Sequence, residues 1–212
     1  MAVFLEVDIS SHLFNILKSI ISNLWIIIKD ERIYMKLKKG DSINELTLPS
    51  VDGSTFNLET IKGKKAMISF YRYSSCPFCH LRINEIISKK SEFGDNFVPI
   101  AIFDCDFDDL VKNSKKHDGE ITILCDDDRI YFDKFEVQNS FLRFLFGITI
   151  RVDRFFKALL KGYNPASNMS GAFLGLPADI LIDENGTVEK AFYGSHTASH
   201  IPLNEVVLFS KS

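Results

Sequence analysis

Residues 68–80 constrain the fold more than any other stretch, because an apolar, strand-like run changes there into a helical pattern. A central strand is predicted at Ala66–Tyr71, and the β-prone sequence stops at Ser74 and Ser75. A helix is predicted from Cys79 to Lys90, and its apolar positions are Leu81, Ile83, Ile86 and Ile87. The sequence therefore predicts a buried strand that leads directly into a helix.

Two cysteines, Cys76 and Cys79, lie at the turn between this strand and this helix. We expect Cys76 at the N-cap and Pro77 at the first helical position, where the missing N–H costs nothing. The unpaired backbone N–H groups and the helix dipole favour a thiolate there, so the pKa of Cys76 should fall below the usual value of about 8.5. Cys79 lies on the same face of the first turn, within reach of a disulfide. The pattern indicates thiol redox chemistry.

The cysteine pair has three other interpretations. Cysteines are often small buried hydrophobes, although a pair flanking a proline at such a turn does not favour this. The sequence Cys76–His80 also matches the haem-attachment pattern, which needs an exported chain and a helical setting. A zinc site needs two more ligands, and Cys105 and Cys125 do not form a second close pair in the sequence. We therefore expect neither a cofactor nor a metal.

Composition limits the class of protein. The 212 residues, 46% of them hydrophobic, suit one α/β domain with an appendage. The net charge of −3 and the motifs present do not favour nucleic-acid binding. Four cysteines in this length do not make a disulfide scaffold. The N-terminus lacks a basic region and a cleavage site, so we expect a protein of the reducing cytoplasm.

Two stretches, Leu13–Lys29 and Arg151–Lys161, are predicted to form amphipathic helices. The first is interrupted by Lys18 and Asn23 and is too short to span a bilayer. It would lie on a membrane surface, form a homodimer seam or dock on the rest of the protein. The second has a basic face, which suits an anionic membrane surface, but we favour a packed helix with a solvated face.

Strands and helices alternate through the rest of the chain. Further strands are predicted at Phe97–Phe103, Ile121–Leu124, Asp179–Asp183 and Val188–Tyr193, with hairpin turns at Asp52–Gly53 and Asn185–Gly186 and helices near 108–116, 129–135 and 202–209. This order predicts a central mixed β-sheet flanked by helices. Cys76, Cys105 and Cys125 each follow the end of a strand, and chemistry on such a sheet gathers at those ends.

With this order, the chain from about Gly40 onward resembles the thioredoxin superfamily. More narrowly, it is similar to the peroxiredoxin-like branch of the alkyl hydroperoxide reductase/thiol-specific antioxidant family. The likeness rests on Gly40-Asp41, Asp52-Gly53, Lys62-Gly63-Lys64, the segment Phe70–Cys79, Leu176–Asp179, and Asp183 with Gly186. We accordingly divide the chain into an N-terminal amphipathic helix with a basic linker, residues 1–39, and a thioredoxin-like domain, residues 40–212.

The resemblance implies that Cys76 is the attacking thiol and that Cys79 resolves the intermediate to a redox-active disulfide. It also implies that Pro177 is cis and lies against the dithiol, which would leave the backbone of Leu176 to pair with an extended substrate. It implies an antioxidant oxidoreductase that acts on a protein disulfide or a peroxide and receives electrons from a thioredoxin- or glutathione-type reductant. The bare sequence favours an ordinary trans Pro177 at the start of an edge strand.

Two departures from the family pattern concern the site. Arg72 and Tyr73 stand where peroxiredoxins have the proline and the hydroxyl residue of Pro-x-x-x-Thr/Ser-x-x-Cys, and Pro177 stands where they have a peroxide-binding arginine. On this chemistry, thiol–disulfide exchange is favoured over peroxide reduction. Arg72 would partly replace the missing charge if it lay near Cys76; a solvent-facing arginine is the alternative.

A competing hypothesis is a non-catalytic, redox-sensitive binding module that docks on a membrane or a partner through the two amphipathic stretches.

Three further groups of polar residues have simple structural interpretations. His196 and His200 are interpreted as surface histidines, and Asp126–Asp128 as a solvated turn. His80 either tunes the dithiol or faces solvent.

Overall fold

A five-stranded mixed sheet is the centre of the computed structural model, which describes residues 35–117, 119–137, 160 and 175–212. A small hairpin precedes the sheet, formed by β1 (Thr47–Pro49) and β2 (Thr55–Asn57). The sheet strands are β3 (Lys65–Tyr71), β4 (Phe97–Phe103), β5 (Thr122–Cys125), β6 (Ala178–Ile182) and β7 (Val188–Tyr193). Their spatial order is β5-β4-β3-β6-β7. Strands β3, β4 and β5 are parallel, whereas β6 and β7 are antiparallel to their neighbours.

Four α-helices accompany the sheet in the described ranges: α1 (Pro77–Ser88), α2 (Phe107–Ser114), α3 (Ile130–Lys134) and α4 (Leu203–Lys211). Short 3-10 turns occur at Leu58–Ile61, Lys90–Glu92 and Lys115–His117. No helix in these ranges is long and apolar enough to cross a membrane. The predicted helix 13–29 lies outside the described residues, as does the stretch 151–161 apart from Leu160. The division of the chain at residue 39 therefore remains a prediction.

Strand β3 is buried on both faces, which explains its continuous apolar sequence. Ile68 and Phe70 belong to one core with residues of β4, β6 and α3. Met67 and Tyr71 point to the opposite face, where Met67 joins a cluster with α4 and Tyr71 joins a cluster with the first turns of α1. Strand β3 therefore leads directly into the cysteine turn, which is the segment that carries Cys76 and Cys79.

The two predicted hairpins are confirmed. Strands β1 and β2 pair with Leu48 opposite Phe56, and β6 and β7 join through Asn185 and Gly186. Gly186 has φ +79°, and a Cβ there would lie 2.8 Å from the carbonyl oxygen of Ile43. Only glycine meets both conditions without strain.

Each outer strand of the sheet is hydrogen bonded to another segment of the chain. At β5, the N–H of Val51 donates to the carbonyl of Ile123 at 3.1 Å. At β7, the N–H of Gly40 donates to the carbonyl of Val188 at 2.8 Å, and the N–H of Val188 donates to Asp41 at 2.7 Å. The segments before β1 and after it therefore flank the sheet.

The predicted strands agree with the observed ones to within two residues. Helix α1 begins at Pro77 and ends at Ser88, two residues earlier at each end than the predicted helix. Because β3, β4 and β5 are parallel, their carboxyl ends lie along one edge of the sheet. Cys76 follows β3, Cys105 follows β4, and Cys125 is the last residue of β5. Three strand ends in a row therefore carry thiols.

Candidate active site

Cys76 is the N-cap of α1, as predicted. Its backbone is extended, with φ −62° and ψ 115°, and Pro77 occupies the first turn of the helix. The Cys76 sulfur accepts a hydrogen bond from the backbone N–H of Cys79 at 3.3 Å. A helix N-terminus leaves such N–H groups without partners inside the helix, so a sulfur at this position satisfies one of them.

Arg72 lies against the Cys76 sulfur and not in solvent. Its Nη2 donates to Cys76 Sγ at 2.9 Å, and only 1% of the arginine is exposed. The rings of Tyr73 and Phe78 lie 5.5 and 6.0 Å from the guanidinium carbon. Of the two interpretations of Arg72 from sequence, the structure favours the charge beside Cys76.

The two cysteines differ in ionisation. Burial alone would raise the pKa of Cys76, but the Cys79 thiol and N–H and the charge of Arg72 outweigh burial and lower it to about 6. Burial, together with the hydrogen bond to Cys76 and its charge, raises the pKa of Cys79 well above its usual value. At pH 7 Cys76 is therefore a thiolate and Cys79 keeps its proton, which suits an attacking and a resolving residue.

Pro177 does not have the cis peptide bond that the resemblance implied. No cis peptide bond occurs among the described residues, so the bond between Leu176 and Pro177 is trans. A trans bond is the favoured isomer, and the extended backbone it permits continues directly into β6. The alternative of an edge strand is also wrong, because β6 lies between β3 and β7. Contact of Pro177 with the dithiol remains a prediction.

His80 is buried, so the alternative that it faces solvent is wrong. A role in tuning the dithiol stays a prediction. The Nε2 of His80 lies 2.6 Å from the carbonyl oxygen of Ser74, and its Nδ1 lies 3.0 Å from Nε2 of His117. Because a carbonyl only accepts, His80 Nε2 carries the proton and Nδ1 accepts from His117. Burial lowers the pKa of both histidines to about 4, so both are neutral at pH 7. The pair fixes the turn that precedes Cys76.

A buried cluster around Asp179 was not predicted. The Asp179 carboxylate accepts from Ser69 Oγ at 2.8 Å and from the N–H of Ile201 at 2.9 Å, and Nη2 of Arg82 lies 3.9 Å away. Nδ1 of His200 lies 3.1 Å from both carboxylate oxygens. Burial opposes the charge of Asp179, but His200 and Arg82 lower its pKa to about 2.

The interpretation of His200 as a surface residue is therefore wrong: 5% of its side chain is exposed, because it contacts Asp179. His196 is partly buried, and its Nδ1 accepts from the N–H of Ala198. The available signal in the sequence was Asp179 itself, a carboxylate within an otherwise apolar strand. Such a group is buried only when it is paired. Arg82 donates to the carbonyl of Ile201 at 2.6 Å, so the cluster ties α1 to the segment before α4.

Asp126 also differs from its prediction, because it is buried and not part of a solvated turn. Its oxygens accept from the backbone N–H groups of Ile130, Tyr131 and Phe132 at 2.8, 2.9 and 3.0 Å. The carboxylate therefore satisfies the first donors of α3. Asp127 and Asp128 are exposed, as predicted.

The remaining two cysteines lie in the same buried cluster as Cys76 and Cys79. Cys125 Sγ donates to the carbonyl oxygen of Cys105 at 3.0 Å. None of the four cysteines is in a disulfide. Within the described ranges, no group of three or more His, Cys, Asp or Glu side chains is arranged to hold a metal ion.

The sequence model of the AhpC/TSA family matches residues 39–191. No curated protein matches the sequence. Among solved structures, a peroxidoxin, BcpB, from Mycobacterium tuberculosis is 13% identical with a TM-score of 0.59, and the alignment covers 82% of this chain and 96% of that one.

A thiol peroxidase from Chromobacterium violaceum is 14% identical with a TM-score of 0.54, over 82% of this chain and 86% of that one. The thioredoxin domain of a thiol-disulfide oxidoreductase from Bacteroides vulgatus is 16% identical with a TM-score of 0.50, over 83% and 100% of the chains. At these identities the structures show a common thioredoxin-like fold. The family match covers most of the chain, and the chain therefore belongs to the AhpC/TSA family of thiol-dependent oxidoreductases.

Proposed function

We propose that the protein is a two-cysteine oxidoreductase in which Cys76 attacks, Cys79 resolves, and thiol–disulfide exchange is the principal reaction. The observation that carries the proposal is the pair of donors on one sulfur: Arg72 Nη2 at 2.9 Å and the N–H of Cys79 at 3.3 Å. A thiolate is the reactive form of cysteine, and both donors stabilise it.

In the first step the Cys76 thiolate attacks one sulfur of a substrate disulfide. The substrate S–S bond breaks, the leaving sulfur takes up a proton, and Cys76 is held in a mixed disulfide. Cys79 then loses its proton and attacks the Cys76 sulfur, which releases the second substrate thiol and closes the Cys76–Cys79 disulfide. A thioredoxin- or glutathione-type reductant restores the dithiol.

The first step prepares the second. The negative charge of Cys76 is one cause of the raised pKa of Cys79. Formation of the mixed disulfide removes that charge, so Cys79 ionises more readily once it is needed as a nucleophile. Arg72 lies beside Cys76 and favours the negative charge on the sulfurs in either step.

Peroxide reduction is a second candidate, favoured by the complete burial of Cys76. A small peroxide reaches a buried sulfur with less rearrangement than a protein disulfide requires. Arg72 supplies a donor beside the sulfur, although it comes from a different position than the family arginine. In this reaction the O–O bond breaks, one oxygen forms a sulfenic acid on Cys76 and the other leaves as water or an alcohol. The Cys79 thiol then displaces water from Cys76 to form the same disulfide.

The experiment compares the oxidation rates of the reduced protein by hydrogen peroxide and by a protein disulfide at equal pH. We expect Cys76→Ser to abolish both reactions and Cys79→Ser to trap a mixed disulfide with the disulfide substrate. A Cys76→Ser protein with full turnover would overturn the proposal. The ratio of the two wild-type rate constants decides between the substrates.

The non-catalytic binding module gains no support from the family match. Its two amphipathic stretches lie outside the described residues apart from Leu160, so membrane contact and a dimer seam stay predictions. Co-sedimentation with anionic liposomes, with and without residues 1–35, tests them. Loss of binding on deletion would support a peripheral membrane contact, and equal absence of binding in both proteins would remove it.

A further inference from the structure

Cys105 and Cys125 form a second thiol pair that the proposed mechanism does not use. Cys105 follows β4 and Cys125 ends the adjacent parallel strand β5, where Phe103 and Cys125 are partners in the register. Cys125 Sγ lies 3.0 Å from the carbonyl oxygen of Cys105. Its neighbour Cys125 and burial raise the pKa of Cys105. The sulfur of Cys125 thus contacts the backbone of Cys105, and this closeness of the two residues is what a disulfide between them requires.

The second pair is enclosed with the first. The two side chains are at most 2% exposed, and they belong to the same cluster of contacting buried residues as Cys76 and Cys79. Tyr71 and Phe103, the last residues of β3 and β4, are register partners whose rings stack at 5.3 Å within this cluster. An oxidant in solution has little access to Cys105 or Cys125. The Cys76–Cys79 disulfide that the proposed function forms would lie within the same buried cluster.

We propose that Cys105 and Cys125 are a second redox site, which the Cys76–Cys79 disulfide oxidises by internal thiol–disulfide exchange. The inference rests on the proposed function, because that reaction supplies the Cys76–Cys79 disulfide. One consequence is a capacity for two oxidant molecules per chain before an external reductant acts.

The exchange balances without a further reactant. One thiol of the second pair loses its proton and attacks a sulfur of the Cys76–Cys79 disulfide, whose S–S bond breaks. The remaining thiol of the second pair then loses its proton, attacks its oxidised neighbour and releases the other active-site sulfur. Of the two protons lost, Cys79 takes up one and solvent takes the other, because Cys76 stays a thiolate at pH 7. Two electrons pass from the second pair to the first, and a Cys105–Cys125 disulfide replaces the Cys76–Cys79 disulfide.

The test counts thiols in the reduced full-length chain after excess hydrogen peroxide, and in a parallel sample after oxidised glutathione, with no reductant present. Free thiols are alkylated under denaturing conditions, and disulfide-linked peptides are mapped by mass spectrometry. We expect loss of all four thiols per chain in two phases, the first for Cys76 and Cys79 and a slower one for Cys105 and Cys125.

Two variants separate the internal route from direct oxidation. In Cys76→Ser, Cys105 and Cys125 should stay reduced, whereas in Cys105→Ala the chain should lose two thiols and stop at the Cys76–Cys79 disulfide. Cys125→Ala repeats the second measurement if Cys105→Ala fails to fold.

Wild-type protein that forms the Cys76–Cys79 disulfide but keeps Cys105 and Cys125 reduced would overturn the inference and leave the proposed function intact. A Cys105–Cys125 disulfide that forms equally fast in Cys76→Ser would overturn the internal transfer. Failure of the Cys76–Cys79 disulfide to form at all would overturn both.

Discussion

The guanidinium of Arg72 donates to the sulfur of Cys76 at 2.9 Å, and both side chains are buried. An opposite charge at this distance is worth more in the protein interior than in water. The attraction between the two charges exists only while Cys76 is a thiolate. It therefore stabilises the reduced protein and not the disulfide. A thiolate stabilised in this way makes the disulfide form a stronger oxidant.

Arg72→Met should raise the pKa of Cys76 by about two units, because burial persists while the charge and one donor are lost. A thiol with a pKa of about 6 is about nine-tenths ionised at pH 7, whereas at a pKa of about 8 only about one-tenth is ionised. The rate of oxidation at pH 7 should therefore fall about tenfold. Thiolate absorbance at 240 nm against pH measures the shift, with Cys79, Cys105 and Cys125 replaced in both proteins.

Arg72→Lys is the matched control, because it keeps the charge and loses the planar donor group. Its pKa should lie between those of the wild type and Arg72→Met. An unchanged pKa in Arg72→Met would show that the helix terminus alone activates the sulfur.

The stability of the reduced protein should increase with pH between 6 and 8. The folded pKa of Cys76, about 6, is below its unfolded value, so its contribution is complete above about 8.5 and is lost as the pH falls through 6. The expected change from pH 6 to pH 8 is about 2 kcal/mol. Urea unfolding in the presence of a reductant measures it. The difference in unfolding free energy between wild type and Cys76→Ser should grow with pH; a constant difference would contradict the assignment of the thiolate.

Asp179→Asn should lower the free energy of unfolding by about 3 kcal/mol, because His200 and buried Arg82 lose the buried carboxylate that they share. In the wild type the contribution of this carboxylate should be lost as the pH falls from about 4 to about 2. Urea unfolding at pH 7 measures the effect of the substitution. Asp127→Asn, at an exposed position, is the control and should change stability by less than about 0.5 kcal/mol.

Asp126→Ala should destabilise the protein by about 1–2 kcal/mol, since three backbone N–H groups at the start of α3 lose their acceptor. Thermal unfolding followed by circular dichroism is a suitable measurement. Asp128→Ala, two residues away and exposed, should have almost no effect. Equal effects of the two substitutions would mean that Asp126 has no special role as a cap.

The cysteine turn could be predicted from sequence because its determinants are local. A strand, two serines and a proline fix the position of Cys76 at the helix N-terminus, and Cys79 follows from the helical spacing. The hairpin turns were predicted for the same reason. Arg72 required the structure, because its backbone position permits a side chain directed either at the sulfur or at solvent.

The Asp179 cluster could not be predicted in this way. Ser69 and Asp179 are 110 residues apart, and they meet because β6 pairs antiparallel with β3 at this register. His200 reaches the same carboxylate from a segment with no regular secondary structure. A one-residue change in register would turn Asp179 to the opposite face of the sheet. Such contacts depend on strand pairing, which local patterns do not determine.

The segments that flank the sheet also affect how the protein behaves at high concentration. Unpaired edge strands invite pairing with another molecule, which is a common beginning of aggregation. Here Ile123 of β5 and Val188 of β7 already accept hydrogen bonds from Val51 and Gly40. A second copy that extended the sheet at these positions would first have to displace those segments. Pairing within the chain therefore makes edge-to-edge assembly of the sheet less favourable at both of its outer strands.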